Sequence, residues 1–187
     1  MRIDIANLSG SNILAGAMSG RELLSKLMLV ETDNLDPQIV FLDFVGIDVA
    51  TGSFLREGVL GYRDFTRARQ TQLYPVVANP NPQVLEELAV ILGFKNEALM
   101  CCSLDTDLVA SEVQVLGKLD PKQKRAFELI KLHGPADAGT LRSACNEDSV
   151  QTTAWNNRLA SLCNQGLLIE TNQGRRKIYR PLFEEAW

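Results

Sequence analysis

The chain has few of the residues and motifs that enzymes use for chemistry. His133 is the only histidine in 187 residues. It falls at the end of a predicted helix, where its side chain is expected to cap the last carbonyl groups or interact with the helix dipole rather than act as a base. There is no G-x-x-x-x-G-K-[ST] phosphate loop and no G-x-S-x-G nucleophile turn, and Gly10, Gly16 and Gly20 lack dinucleotide-binding spacing. We therefore expect no enzyme activity and no cofactor.

Metal and membrane signals are equally scarce. The four cysteines include the adjacent pair Cys101 and Cys102, but no pair has C-x-x-C spacing, so neither a zinc site nor a redox motif is indicated. We expect buried, reduced thiols, and oxidant sensing by the adjacent pair is the alternative. No apolar run approaches a membrane span, and no basic segment precedes an apolar block at the start. These absences predict a cytoplasmic protein with no membrane partner.

Charge is distributed unevenly along the chain. The net charge is −4. Residues 118–187 contain 11 Lys or Arg and 8 Asp or Glu, a net +3, whereas residues 1–117 contain 8 and 15, a net −7. Such asymmetry indicates that the second part faces a polyanion.

The first 103 residues alternate strand-like and helix-like segments. Ile39–Val45 is the most apolar run and predicts a strand buried on both faces at the centre of a sheet. Further strands are predicted at Arg2–Ala6, Leu73–Asn79 and Ala98–Ser103. Asn81 followed by Pro82 predicts the start of a helix. This order predicts an α/β domain over residues 1–103, a small sheet with packed helices.

The segment IVFLDFVGIDVATGSFLREGVLG resembles the core of STAS domains, the anti-sigma-factor-antagonist-like fold. The resemblance implies a regulatory partner such as a kinase or an ATP-binding protein, and it makes Ser53, with Thr51 beside it, a candidate phosphorylation site. The family's Asp-Ser-Ser-Gly run is replaced here by Ala50-Thr51-Gly52-Ser53. A phosphate at a helix start gains from the free N–H groups. The alternative is that Ser53 only caps the helix.

Two acidic residues near the central strand are candidate ligands. Asp43 lies at the carboxyl end of that strand and Asp48 in the following loop. That edge of a sheet is where ligands bind, so a metal or polar ligand is one interpretation. An ordinary aspartate at a strand end is the other.

Residues 104–118 predict a helical linker, because Leu108, Val109, Val113 and Leu116 have helical spacing. Residues 119–187 then predict two helices capped by Asp120 and Asp137. A third helix, which Asp148 or Ser149 would open, carries an apolar face.

The third helix and the segment after it resemble the winged-helix family. TTAWNNRLASLCNQGLL and GRRKIYRP are similar to its recognition helix and wing. Trp155, Leu159 and Leu162 form the apolar face, Gly166 ends the helix, and a turn at residues 172–174 joins two strands. The resemblance implies DNA binding, with base contacts from helix side chains and phosphate contacts from cations. The candidates are Gln151, Thr152, Thr153, Asn156, Asn157, Arg158, Arg175, Arg176 and Lys177.

Three functions remain open at this level. The first is a bacterial-type transcription regulator in which the STAS-like part senses a partner or ligand and the winged helix binds DNA. For this function and the next, a homodimer is the expected assembly. The second is an adaptor in a partner-switching system, in which both parts contact proteins. The third is a small-molecule-binding domain that controls the wing.

Overall fold

A computed structural model describes residues 1–30, 36–145 and 151–183. It has a mixed α/β fold. The strands are β1 (Arg2–Asp4), β2 (Ile13–Leu14), β3 (Gln38–Asp43), β4 (Val49–Ala50), β5 (Leu73–Ala78), β6 (Ala98–Leu104), β7 (Ala110–Gly117), β8 (Leu168–Gln173) and β9 (Arg176–Pro181). The helices are α1 (Ile5–Ser9), α2 (Ala17–Leu27), α3 (Gly52–Leu55), α4 (Gly61–Ala68), α5 (Pro82–Lys95), α6 (Pro121–His133), α7 (Ala138–Ala144) and α8 (Thr152–Asn164), and a π-helical turn (Arg56–Leu60) joins α3 to α4.

The main sheet has five strands in the order β1-β3-β5-β6-β7. The first four are mutually parallel, and β7 runs antiparallel to β6. Two short parallel strands, β2 and β4, form a separate pair, and β8 and β9 form a hairpin. The predicted alternation of strands and helices over residues 1–103 is confirmed.

The first face of the sheet is covered by the crossover helices. Val40 and Leu42 of β3 and Val77 of β5 belong to one buried cluster with side chains of α2, α3, α4 and α5. Where α2 crosses the π-helical turn, Gly20 and Gly58 allow the backbones to meet. Among the described residues, the buried cluster on the opposite face of the sheet contains no side chain from α1 to α5.

The second face is covered by the C-terminal part. Phe41, Val76 and Met100, which alternate with the residues of the first face, join a cluster with Trp155 of α8 and Tyr179 of β9. A mostly parallel sheet is normally buried on both faces. The C-terminal elements supply that second layer, so they share one core with the sheet.

The prediction of a helical linker over residues 104–118 is wrong, because residues 110–117 form the strand β7. Its apolar residues also alternate, as in Val113 and Val115, which is the period of a strand. Asp105 accepts hydrogen bonds from the backbone N–H groups of Asp107 (2.9 Å) and Val109 (2.8 Å), which closes the turn between β6 and β7. Pairing with β6 then outweighs the helical spacing.

Candidate nucleic-acid interface

Helix α8 is amphipathic and firmly anchored. Trp155, Leu159 and Leu162 are fully buried, and they lie four and three residues apart on one face. At the carboxyl end, Gly166 adopts φ +73°, the left-handed conformation that favours glycine after a helix. The predicted core face and stop are confirmed. The helix begins at Thr152 with Gln151 as N-cap, and Asp148 and Ser149 lie outside the described residues.

The opposite face of α8 is polar. Thr153, Asn156 and Asn157 are exposed, as is Gln151, while Thr152 is half-buried. The Thr152 hydroxyl lies 3.4 Å from a guanidinium nitrogen of Arg142 on α7. The exposed amides and hydroxyls are groups that can both donate and accept hydrogen bonds.

The hairpin places its turn beside this face. Gln173 pairs with Arg176, which leaves Gly174 and Arg175 as a two-residue turn. Gly174 has φ +63°, and a glycine at the first turn position is typical of a type II′ hairpin. The turn therefore comes slightly later in the chain than the sequence pattern predicted.

The hairpin cations differ in how far their charge is available. Arg176 has a side chain that is 80% exposed, and its guanidinium lies 3.9 Å from the Asp137 carboxylate. Arg175 is exposed and makes no ion pair among the described residues. Lys177 lies 2.7 Å from the carboxylate of Glu170. Arg175 and Arg176 are thus the more available cations, because the Lys177 ammonium group has a carboxylate at close range.

Helices α7 and α8 and the hairpin enclose an open cleft of about 1220 Å³. Four of its lining side chains are cationic and one is anionic, so the lining carries a net +3 in a chain of net −4. It brings together six of the predicted site residues, namely Thr152, Asn156, Asn157, Arg175, Arg176 and Lys177.

Three predicted site residues lie outside the cleft lining. Gln151 and Thr153 are exposed near the start of α8. The Arg158 guanidinium lies 4.7 Å from the centre of the Trp155 ring, where it stacks rather than projecting into the cleft.

Helix α7 adds residues that the sequence reasoning missed. Thr140, Arg142 and Ser143 line the cleft. Asp137, the predicted N-cap, accepts a hydrogen bond from the Thr140 backbone N–H at 2.7 Å. The bonds from Thr140 lower the pKa of the Asp137 carboxyl, so it is ionised at neutral pH. A cation in a helix next to the predicted recognition helix was the signal that could have identified Arg142.

A short bridge ties α7 to the hairpin. Ala136, just before α7, exchanges two 3.0 Å backbone hydrogen bonds with Tyr179 of β9. Tyr179 is buried. The walls of the cleft are therefore held by backbone bonds as well as by the core.

The candidate phosphorylation site lies at the start of α3. Thr51, not Ser53, is the N-cap: its hydroxyl faces the Phe54 N–H at 3.4 Å and the Gly16 N–H at 3.1 Å. Ser53 lies inside the helix, with its hydroxyl 3.2 Å from that of Thr51. The expectation that Ser53 caps the helix is wrong because the helix begins earlier, and phosphorylation of either residue stays a prediction.

Asp43 is a structural anchor at the edge of the sheet. It is 1% exposed and lies 2.5 Å from an Arg2 nitrogen. Asn79 and the Val45 backbone also donate hydrogen bonds to it, at 2.9 and 3.1 Å. Asp48 accepts a 2.5 Å hydrogen bond from Asn12. In the described parts of the chain, no group of three or more His, Cys, Asp or Glu residues could hold a metal ion.

The comparisons provide no further identification. The chain matches no protein-family model, no curated protein and no solved structure. Across residues 1–30, 36–145 and 151–183, no helix has the length and apolar character needed to cross a membrane. The geometry of the cleft is therefore the basis for a functional assignment.

Proposed function

We propose that the chain is a DNA-associated regulator that binds duplex DNA through the cleft between α8 and the β8–β9 hairpin. The order α6, Ala136 bridge, α7, α8 and hairpin matches that of a winged helix, and we propose that fold for residues 119–187. The observation that carries the proposal is the exposed polar face of α8 beside the cationic turn of the hairpin.

The dimensions of α8 suit a major groove. A helix of 13 residues is about 20 Å long, and the major groove of B-DNA, about 12 Å wide, admits one helix. Asn156 and Asn157 can each form paired hydrogen bonds with adenine, and Thr152 can contact a base edge or a phosphate. Ala160, which also lines the cleft, is small enough to allow close approach.

The charge pattern directs a polyanion to this surface. Arg142, Arg175 and Arg176 surround the cleft, and cations near phosphates release bound counterions, which strengthens binding at low salt. The net charge of the whole chain is −4, so its other surfaces are on balance unfavourable to DNA. Affinity is consequently expected to be modest and strongly salt-dependent.

The sheet is positioned to influence α8. Gln165, at the end of α8, accepts a 2.7 Å hydrogen bond from the Ala98 N–H at the start of β6. A partner or ligand that shifts β6 would therefore act on α8 through this contact. We propose that residues 1–103 form the STAS-like input of the regulator, and a kinase or ATP-binding protein remains the proposed partner class.

The test is a fluorescence anisotropy titration with a random-sequence duplex over a range of salt concentrations. We expect binding that weakens as salt rises, and selection of bound sequences that yields a preferred site. The Asn156→Ala, Asn157→Ala double variant should keep the nonspecific binding and lose much of the preference, whereas Asn164→Ala, exposed at the far end of α8, should change neither. No binding at low salt would refute the proposal.

A specific observation favours an adaptor as the second candidate. Lys177 is paired with Glu170, and Arg158, the only cation of α8, stacks on Trp155. The cleft is thus less basic than its sequence suggests, which a protein partner would tolerate better than DNA. The same titration separates the two functions, because an adaptor would leave the duplex unbound at every salt concentration.

A further inference from the structure

We propose that the free edge of β7, with the basic groove between β7 and α6, binds an extended acidic segment of a partner protein as an added strand. This surface is separate from the DNA-binding cleft. It would give the regulator a protein input at the sheet itself.

The backbone of β7 offers the hydrogen bonds that such a strand needs. β7 is the last strand of the sheet, and β6 is its one partner among the described strands. Lys118 donates its N–H to the Glu97 carbonyl at 3.0 Å, which identifies a hydrogen-bonded pair of the antiparallel ladder. Such pairs alternate with pairs whose backbone groups face outward. The N–H and C=O groups of Val113, Val115 and Gly117 therefore point away from β6.

The edge has a defined length. A register shift interrupts the ladder between Cys101 and Ser103, and the opposing Glu112 has φ +50°. Such a bulge ends regular pairing at an edge. Pairing is thus limited to the segment from Val113 to Lys118. At the other edge of the sheet, β1 has only three residues, so β7 is the longer edge among the described strands.

The groove beside this edge is lined by apolar as well as charged side chains. It has a volume of about 470 Å³ and is lined by Val113 and Val115 of β7, Leu119, and Phe127 of α6. Val113 and Phe127 belong to the core of the second sheet face. Alternate side chains of an added strand would lie over this groove, as in β-strand addition.

The charge of the groove selects the partner. Lys118, Lys124 and Lys131 line it together with a single acid, Glu128, a net charge of +2. Glu128 lies 3.6 Å from Lys131, whereas Lys118 and Lys124 are exposed. An acidic strand complements this surface. A second copy paired through β7 would place the same lysines around one symmetry axis, so charge disfavours it.

The experiment uses the full chain and a phage-displayed library of random peptides. Selected peptides should alternate apolar and acidic residues and bind less tightly as salt rises. Val115→Pro removes an outward N–H that β6 does not use, and proline is tolerated at such edge positions. It should weaken peptide binding by about three- to tenfold. Val115→Thr keeps the N–H and a branched side chain, so it should bind the peptides more tightly than Val115→Pro.

Two further measurements make the test independent of how the proline variant folds. A selected peptide that is N-methylated at alternate residues should bind the wild-type chain at least about threefold more weakly. The Lys118→Glu, Lys124→Glu double variant should lose the acidic peptides, whereas Lys122→Glu, on α6 but outside the groove lining, should keep them. The proposal is overturned if no peptide is enriched, if N-methylation has no effect, or if light scattering shows a dimer that Val115→Pro dissociates.

Discussion

Replacement of Gln165 by leucine should destabilise the whole molecule, because this side chain joins α8 to the sheet. Gln165 is only 8% exposed, and its carbonyl oxygen accepts the 2.7 Å hydrogen bond from the Ala98 N–H. Leucine has a similar volume but no acceptor. The buried N–H would be left unsatisfied, which costs about 1–3 kcal/mol.

The assay is urea unfolding followed by circular dichroism and tryptophan fluorescence. A loss of this size should lower the urea concentration at the unfolding midpoint. In a thermal melt, the Tm should fall by about 2–4 °C for each kcal/mol in a chain of this size. Asn164→Leu is the matched control, because Asn164 is exposed one position earlier. Its effect should stay within about 0.5 kcal/mol.

Two results would refute this reasoning. Equal midpoints for the Gln165 and Asn164 variants would show that the hydrogen bond contributes nothing. Separate transitions for the two probes would show that the C-terminal layer unfolds independently of the sheet, although both contribute to one buried cluster. A shared core predicts a single transition.

Three further predictions follow from local geometry. Gly20→Ala should destabilise by about 1–3 kcal/mol, because its Cβ would lie 2.6 Å from a backbone carbonyl oxygen of α3; Gly93→Ala, with no atom within 4 Å, should stabilise by about 0.5–1 kcal/mol. If the two variants have the same Tm, the close approach of α2 to the backbone of α3 is contradicted. Asp137→Ala should cost about 1 kcal/mol at neutral pH. The folded pKa of Asp137 is lowered. The stabilisation by its carboxylate is therefore present above the unfolded pKa of about 3.9 and is lost as the pH falls through the folded pKa. If the stability difference between the variant and the wild type persists unchanged in strong acid, this assignment is contradicted. Burial raises the pKa of Cys101 and of Cys102 to about 12, so a thiol reagent at neutral pH should label them only on unfolding, and rapid labelling of the native chain would count against their burial.

The sequence predicts the elements whose signals are local. Asn81, Asp120 and Asp137 cap helices as expected, since each carboxylate or amide bonds to a backbone N–H within its own first turn. The strand β3 is predicted as reliably, because a short, continuous apolar run is typical of a strand that is buried on both faces of a sheet.

Long-range packing could not be predicted in the same way. The helical spacing of Val113 and Leu116 predicted a helix where the structure has β7. The strand is stabilised by pairing with β6, which the local pattern does not show. An amphipathic face shows that a helix is buried but not against which surface. Contact between the Trp155 cluster and the second face of the sheet therefore needed the structure, and so did the place of Arg142 in the cleft.

The central claim is that phosphates bind at the hairpin beside α8, and the salt dependence of DNA affinity tests it most directly. The slope of log K against log salt should be measured for the wild type, for the Arg175→Ala, Arg176→Ala double variant and for Lys122→Ala as a control outside the cleft. The double variant should lose roughly one unit of slope for each arginine, and the control should keep the wild-type slope. A double variant with an unchanged slope would contradict the claim.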